Sequence, residues 1–137
     1  MNIPAPVAAA ARVLIAVLFV MAGLNKFGGL EGTAGYIASQ GLPAPMVLAF
    51  GAAALEVVGG LALALGWQAR IAAGALAAFT LLATLLFHAF WTFPAEQAYV
   101  QQLMFMKNLA IVGALLFIVS VGAGPASLDQ RRRLAAA

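Results

Sequence analysis

Long apolar runs, separated by short segments that hold most of the polar, glycine and proline residues, dominate the sequence. A helix needs about 20 mostly apolar residues to cross the hydrocarbon core of a bilayer, so the pattern predicts four membrane spans. The predicted spans are residues 6–24, 46–66, 71–91 and 103–122. They are apolar on all sides, which is typical of helices that face lipid. The expected fold class is all-α integral membrane, as an antiparallel four-transmembrane-helix bundle.

The connecting segments suit this arrangement. Residues 28–45 contain several glycines and two closely spaced prolines, which predict turns around a short interfacial helix between the first two spans. The second and third spans are joined tightly, and Pro94 is well placed in the first turn of the fourth helix. We predict one membrane domain over residues 1–128 and a basic tail over residues 129–137.

Composition excludes several classes of protein. The chain is 65% hydrophobic and 8% charged, with a mean hydropathy of +1.05, whereas a soluble domain carries about 25% charged residues. Without cysteine there are no disulfides, thiol redox centres or thiolate-bound metals. His88 is the only histidine, which excludes bis-histidine haem ligation within one subunit. We predict no metal site, and no nucleic-acid partner because a basic patch interleaved with aromatic residues is missing.

The distribution of basic residues predicts the orientation. Arg12, Arg70 and the run at residues 131–133 fall on one side of the predicted bundle, whereas Lys26 and Lys107 fall on the other. Arginine and lysine in short loops favour the cytoplasmic side. Both termini are therefore predicted to be cytoplasmic, with Arg12 and Arg70 as structural or anchoring residues.

Polar residues from all four spans are predicted to lie in the outer half of the bundle, the half opposite the termini. An ionised group at the bilayer centre costs roughly 2.5–3.5 kcal/mol, so Glu56 needs a partner. The sequence leaves open whether that partner is Lys26 or Lys107. We predict a cluster that binds a ligand or handles protons; the alternative is an ion pair that only fixes helix register. The members of the cluster are Glu56, His88, Lys107, Asn108 and Lys26.

An ordered set of short motifs resembles the DoxX family of small bacterial inner-membrane proteins. The motifs are the Gly-x-x-Lys end of helix one, Gly-Leu-Pro before helix two, Glu followed by Gly-Gly, Phe-His, and Lys-Asn-Leu. The resemblance implies four transmembrane helices in the cytoplasmic membrane. The family's name comes from a subunit associated with an archaeal terminal quinol oxidase and with thiosulfate:quinone oxidoreductase activity. The polar family positions matched here are Arg12, Lys26, Glu56, His88, Lys107 and Asn108.

These observations favour a redox-associated membrane subunit that binds a membrane quinone without a covalent link. His88 and Lys107 are expected to donate to the two quinone carbonyls, while Glu56 takes or supplies the accompanying proton. With no cysteine and no phosphate-binding glycine loop, the chain has no evident cofactor of its own. Electrons would come from a redox partner protein, and whether the chain alone is an enzyme stays open.

Two other functions remain. The chain would act as a noncatalytic membrane scaffold or assembly partner if the polar cluster were purely structural. It would act as a proton-coupled small carrier if Glu56 exchanged a proton for a substrate. In each case we expect membrane lipid as a partner, and either a homo-oligomer or a place as one subunit of a larger complex.

Overall fold

The computed structural model describes residues 3–136, which are helical with short connections. The elements are α1 (Ala5–Gly28), α2 (Leu30–Ser39), α3 (Pro45–Leu65), α4 (Ala69–Phe87), a 3₁₀ turn (Phe90–Thr92), α5 (Ala95–Val121) and α6 (Leu128–Ala135). Four of these segments are long and apolar enough to cross a membrane: α1, α3, α4 with the 3₁₀ turn, and α5. This confirms the predicted antiparallel four-span fold, with α2 as the short segment between the first two spans. Residues 1, 2 and 137 of the predicted domain and tail lie outside the described range.

Proline and glycine define the ends of the spanning helices. Pro45 is the first residue of α3, where the missing N–H of proline removes no helical hydrogen bond. At the other end of α3, Gly66 adopts a left-handed conformation with φ 63°. The amide of Trp67 then donates to the Ala62 carbonyl oxygen at 2.9 Å, as in a glycine-terminated helix. The chain therefore reverses into α4 within three residues.

α5 begins at Ala95, whereas the apolar pattern placed the start of the fourth span at residue 103. The intervening sequence, AEQAYVQQ, is polar enough to lower hydropathy but continues as helix after Pro94. The resulting 27-residue helix is about 40 Å long at 1.5 Å per residue. Lys107 lies about 18 Å from its start, so it sits about three turns into α5 instead of one.

The four spanning helices share one apolar core. α1 packs along α3, α4 packs along α5, and α3 joins the two pairs through α4. The largest side chains with almost no exposure are Leu63, Leu76, Leu115 and Thr84. On the outer half, α2 packs Ala34 and Ile37 against Ala49 of α3. The interior is thus made mainly of small and branched apolar residues, and α2 covers the outer end of α3.

Two glycines allow α1 and α3 to approach closely. A Cβ added to Gly23 would lie 2.7 Å from the backbone oxygen of Ala53, and one added to Gly60 would lie 2.8 Å from Val20 Cγ2. Real Cβ atoms do not occupy such positions without displacing a neighbour. Small residues at helix contacts are the usual means of close packing between membrane helices. The separation of α1 and α3 is therefore set by these two positions.

The predicted basic tail is docked on the bundle. After α5 the chain folds back over the turn between α3 and α4, and the Asp129 amide donates to the Gly66 carbonyl oxygen at 2.9 Å. Ser127 is 3% exposed, and its Cβ occupies the space that a side chain on Gly66 would need. The Ser127 side chain also accepts from the Gln130 amide and caps α6. The tail therefore starts as a capped helix, anchored where α3 meets α4.

Candidate functional site

An ion pair between Lys26 of α1 and Glu56 of α3 lies inside the outer half of the bundle. The Lys26 ammonium donates to both carboxylate oxygens, at 2.9 Å to Oε1 and 2.8 Å to Oε2. The Glu56 side chain is 7% exposed, whereas the Lys26 side chain is 29% exposed. Of the two partners that the sequence left open, the structure places Lys26 on Glu56. The carboxylate is buried, and the ammonium bound to it faces partly outward.

The close approach at Gly23 creates this pair. Gly23 contacts α3 beside Ala53 and Val57, and these residues flank Glu56 on the same side of the helix. Lys26 follows Gly23 by three residues, which places it on the same face of α1 one turn nearer the outer end. The Gly-x-x-Lys motif thus combines a backbone contact with the charge that compensates the glutamate.

α4 contributes an unpaired hydroxyl at about the depth of Glu56. Gly59 of α3 faces Leu76 of α4. The two helices are antiparallel, so one turn nearer the outer end lies Glu56 on α3 and Thr80 on α4. Thr80 is 6% exposed, and its Oγ1 has no hydrogen-bond partner within residues 3–136. Thr84, in contrast, satisfies its hydroxyl by donating to the Thr80 carbonyl oxygen at 2.6 Å. A buried hydroxyl without a partner is unusual. Thr80 therefore adds an unsatisfied polar group to the bundle interior at about the depth of Glu56.

His88 forms a second polar contact at the outer end, where α4 stops. Its Nδ1 lies 2.7 Å from Gln101 Oε1 of α5; with the Gln101 amide in this orientation, Nδ1 is the donor because an amide oxygen only accepts. Phe90 and Trp91, which follow His88, pack edge to face against each other and against Phe105 of α5, with ring centroids 5.1–5.7 Å apart. The outer ends of α4 and α5 therefore combine an oriented imidazole with an aromatic cluster.

The remaining predicted cluster residues stand apart from Glu56. Lys107 is exposed, and its ammonium contacts Met104 Sδ at 3.3 Å on its own helix. Asn108 is half-buried and makes no side-chain hydrogen bond within residues 3–136. The five side chains therefore do not share one hydrogen-bonded network, because Lys107 lies deeper along α5 than predicted and on an exposed face. Their participation in ligand binding stays a prediction.

Arg12 and Arg70 lie at the opposite end, as the orientation argument requires. Arg12 is 3% exposed and donates to the backbone oxygens of Ala123, Pro125 and Ala126. It is thus a buried connection between α1 and the segment after α5, which corresponds to the structural one of the two predicted roles, structural or anchoring. Arg70 is exposed in the first turn of α4.

Two side chains that position other parts of the bundle escaped the sequence reasoning. Gln101 orients His88, but it lies in the polar stretch that hydropathy excluded from the fourth span. Asp129 accepts from the amides of Gln68 and Ala69 at 2.8 and 2.9 Å and so caps α4 from 60 residues away. No local signal marks a cap supplied from so far along the chain. Within residues 3–136, no group of His, Asp and Glu is placed to hold a metal ion.

Comparison with known proteins places the chain among bacterial membrane proteins. The DoxX family model matches residues 7–89. The chain is 41% identical to inner membrane protein YqjF of Escherichia coli over 88% of its own length and 87% of the relative. It is 33% identical to inner membrane protein YphA of the same organism, over 88% and 86% of the two chains. A match of 40% identity covers 55% of this chain and 54% of CatD of Bacillus subtilis, which is by name a proposed oxidoreductase.

No solved structure matches the chain. The four membrane-spanning helices nevertheless agree with the description of both Escherichia coli relatives as inner membrane proteins. The protein is a multi-pass protein of the bacterial inner membrane.

Proposed function

Because the chain belongs to the DoxX family, matched over residues 7–89, we propose that it is a redox-associated subunit that binds a quinone in the outer half of the bundle. The Lys26–Glu56 pair carries the proposal. Its carboxylate is 7% exposed and its ammonium 29% exposed, so an outward-facing donor covers a buried acceptor. Ionisable groups inside a membrane bundle mark proton and ligand pathways more often than other positions do.

Quinone reduction needs hydrogen-bond donors and a group that exchanges protons, and side chains of both kinds lie at this end of the bundle. Reduction of a quinone to a quinol takes two electrons and two protons, and each carbonyl oxygen accepts hydrogen bonds as charge develops. Lys26 can donate to one oxygen, and Glu56, bound to Lys26, can exchange the proton. The Nε2 atom of His88 makes no protein hydrogen bond within residues 3–136; with the proton on Nδ1, Nε2 is an acceptor and can take a hydrogen bond from a quinol hydroxyl group.

Aromatic and apolar surfaces near His88 support the proposal of a ligand with a planar ring and an apolar tail. Trp91 is 61% exposed and packs against Phe90 and Phe105, which gives an aromatic surface beside His88. Stacked or edge-to-face contacts with aromatic side chains are favourable for another flat ring. The exposed apolar faces of α4 and α5 would accompany the tail in the bilayer. Electrons would be delivered by a partner protein. A redox role is supported by the Bacillus subtilis relative, which is by name a proposed oxidoreductase.

The proposal includes the orientation of the chain. Arg12, Arg70 and the run at residues 131–133 all belong to the end of the bundle that holds both chain termini. Lysine and arginine flanking short loops are retained on the cytoplasmic side. We therefore place both termini in the cytoplasm and the Lys26–Glu56 pair in the periplasmic half.

The test is mass spectrometry of quinones that copurify with the protein after gentle extraction in native lipid. Glu56→Gln keeps the size of the side chain and an oxygen that accepts from Lys26, so the bundle is retained while the proton site is removed. Glu96→Gln is the matched control, because Glu96 is exposed in the first turn of α5. We expect near-stoichiometric quinone in the wild type and in Glu96→Gln, and a lower quinone content in Glu56→Gln, because Lys26 loses the charged partner that holds its ammonium in place. Equal quinone content in all three samples would reject the proposal.

A scaffold function is the second candidate, and the exposure of α5 favours it. Only 11% of the apolar 18-residue stretch of α5 is buried in the bundle, whereas 39% of the corresponding stretch of α3 is buried. α5 therefore leaves most of its surface for lipid or for another protein. In that case Glu56→Gln would lower the stability of the bundle without changing any bound ligand. A cation carrier is disfavoured, because the Lys26 ammonium already occupies both carboxylate oxygens. A proton-linked uptake assay that distinguished wild type from Glu56→Gln would revive that alternative.

A further inference from the structure

A cleft at the end of the bundle opposite Glu56 is lined by three arginines. Arg70 comes from the first turn of α4, and Arg132 and Arg133 come from the last turn of α6. The lining also includes Gly122, where a Cβ would lie 3.2 Å from Arg70 Nε. The docking of α6 on the turn between α3 and α4 therefore assembles guanidinium groups from two distant segments around one concave surface.

The charge in this cleft is not balanced by the protein. Asp129 is the carboxylate in the lining, and its two oxygens already accept from the amides of Gln68 and Ala69. Within residues 3–136, no carboxylate lies within ion-pair distance of Arg70, Arg132 or Arg133. Three fixed positive charges thus face one carboxylate that is committed to capping α4. Arginine clusters of this kind suit the oxygens of a phosphate, which guanidinium groups bind with paired hydrogen bonds.

Exposed apolar residues neighbour the lining residues of the cleft along the chain. Ile71, next to Arg70, is 69% exposed, Trp67 is 42% exposed, and Val121 at the end of α5 is 39% exposed. Exposed tryptophan at the end of a span is typical of the level of the lipid headgroups. A ligand that places phosphate among the arginines would therefore have its attached chains beside Ile71 and Val121. This combination matches a phospholipid better than a free anion.

We propose that this cleft, the arginine cleft, is a binding site for the phosphate of an anionic phospholipid. Basic pockets between transmembrane helices on the cytoplasmic side bind such headgroups. The site is separate from the Lys26–Glu56 pair and does not depend on the quinone proposal. It also gives the docked α6 a function, because the arginines of α6 reach Arg70 only while Ser127 and Asp129 hold the segment against the bundle.

Native mass spectrometry of the full chain in neutral detergent tests the site at fixed ionic strength. The probes are phosphatidylglycerol, which is anionic, and phosphatidylcholine, which carries the same phosphate diester without net charge. We expect the wild type to bind phosphatidylglycerol, and Arg70→Gln to bind it about fivefold more weakly. Arg132→Gln/Arg133→Gln should weaken it about 25-fold if each arginine contributes equally. The three side chains are exposed and make no protein hydrogen bond within residues 3–136, so melting temperatures should be unchanged.

Arg131→Gln is the matched control, since Arg131 lies on the same helix and carries the same charge but does not line the cleft. We expect its affinity for phosphatidylglycerol to stay within about twofold of wild type, below the loss for one contacting arginine. An equal loss in Arg131→Gln and in the cleft variants would overturn the proposal in favour of diffuse attraction. Equal binding of phosphatidylcholine and phosphatidylglycerol to the wild type would overturn it as well.

Discussion

The guanidinium of Arg12, in the third turn of α1, donates a 2.7 Å hydrogen bond to the carbonyl oxygen of Ala126, which lies 114 residues later in the chain. Two further hydrogen bonds reach the neighbouring carbonyls of Ala123 and Pro125. Because these carbonyls follow the end of α5, Arg12 satisfies backbone acceptors that no helix can satisfy internally. One side chain thus joins the first and last spans at the end of the bundle that holds both termini.

Arg12→Ala should therefore destabilise the protein strongly. Removing a buried charged donor leaves several carbonyl oxygens without partners, which we expect to lower the free energy of unfolding by about 3 kcal/mol. The measurement is denaturant unfolding in mixed micelles. Arg131→Ala, an exposed arginine on α6, is the control and should change stability by less than about 0.5 kcal/mol. If the two variants were equally stable, the structural role of Arg12 would be wrong.

Substitution of Gly23 tests how closely α1 and α3 must approach. Gly23→Ala places a methyl group 2.7 Å from the Ala53 backbone oxygen, and this crowding should cost about 1–3 kcal/mol and move Lys26 away from Glu56. Gly51→Ala is the control, since nothing lies within 4 Å of the added Cβ; there the higher helix propensity of alanine should leave stability equal or raised. Unfolding of both variants in the same micelles gives the comparison. A neutral Gly23→Ala would contradict the close helix contact.

Asp129 should protect the start of α4 from local opening. Asp129→Ala removes the acceptor for the amides of Gln68 and Ala69, and loss of a helix cap costs about 1 kcal/mol. Hydrogen exchange at residues 68–72 should become severalfold faster, while exchange in the middle of α4 stays unchanged. Glu96→Ala, in the first turn of α5, should leave residues 68–72 unaffected. Unaltered exchange in Asp129→Ala would show that α4 does not need this cap.

The partner of Glu56 can be identified by double-mutant cycles. Lys26→Met and Glu56→Gln should be coupled by about 1–2 kcal/mol, because they remove the two sides of a charge-assisted hydrogen-bonded pair. Lys107→Met and Glu56→Gln should add independently to within about 0.5 kcal/mol, since the Lys107 ammonium contacts Met104. The cycles use unfolding free energies in one detergent. Stronger coupling to Lys107 than to Lys26 would reverse the assignment.

The length of the apolar runs predicted the membrane-spanning fold because a bilayer imposes a minimum length and composition on each helix. The apolar run alone did not locate the start of α5, since residues 95–102 are polar and extend the helix without extending that run, whereas Pro94 did mark the helix start. The docked tail was also missed, although Ser127 followed three residues later by Gln130 is a signature of a helix start. The sequence pattern gives no indication that Asp129 contacts the start of α4.

The candidate site was predictable only in part, for a similar reason. Helix position gives the depth of a polar residue in the bundle, and it correctly gave Glu56 a lysine partner in the outer half. It does not give the rotation of one helix against another, so it could not choose between Lys26 and Lys107. The choice follows from Gly23, whose contact with Ala53 brings the α1 lysine to α3. The Lys107 side of α5 remains exposed.

The most direct test of the central claim is to observe Glu56 itself during quinone chemistry. Infrared difference spectra would be recorded between the oxidised and reduced quinone states of the reconstituted protein, with reduction driven at an electrode. We predict a carboxyl band that changes between the two states in wild type and in Glu96→Gln, and that is absent in Glu56→Gln. Identical difference spectra in all three proteins would show that Glu56 takes no part in the proton transfer and would contradict the account.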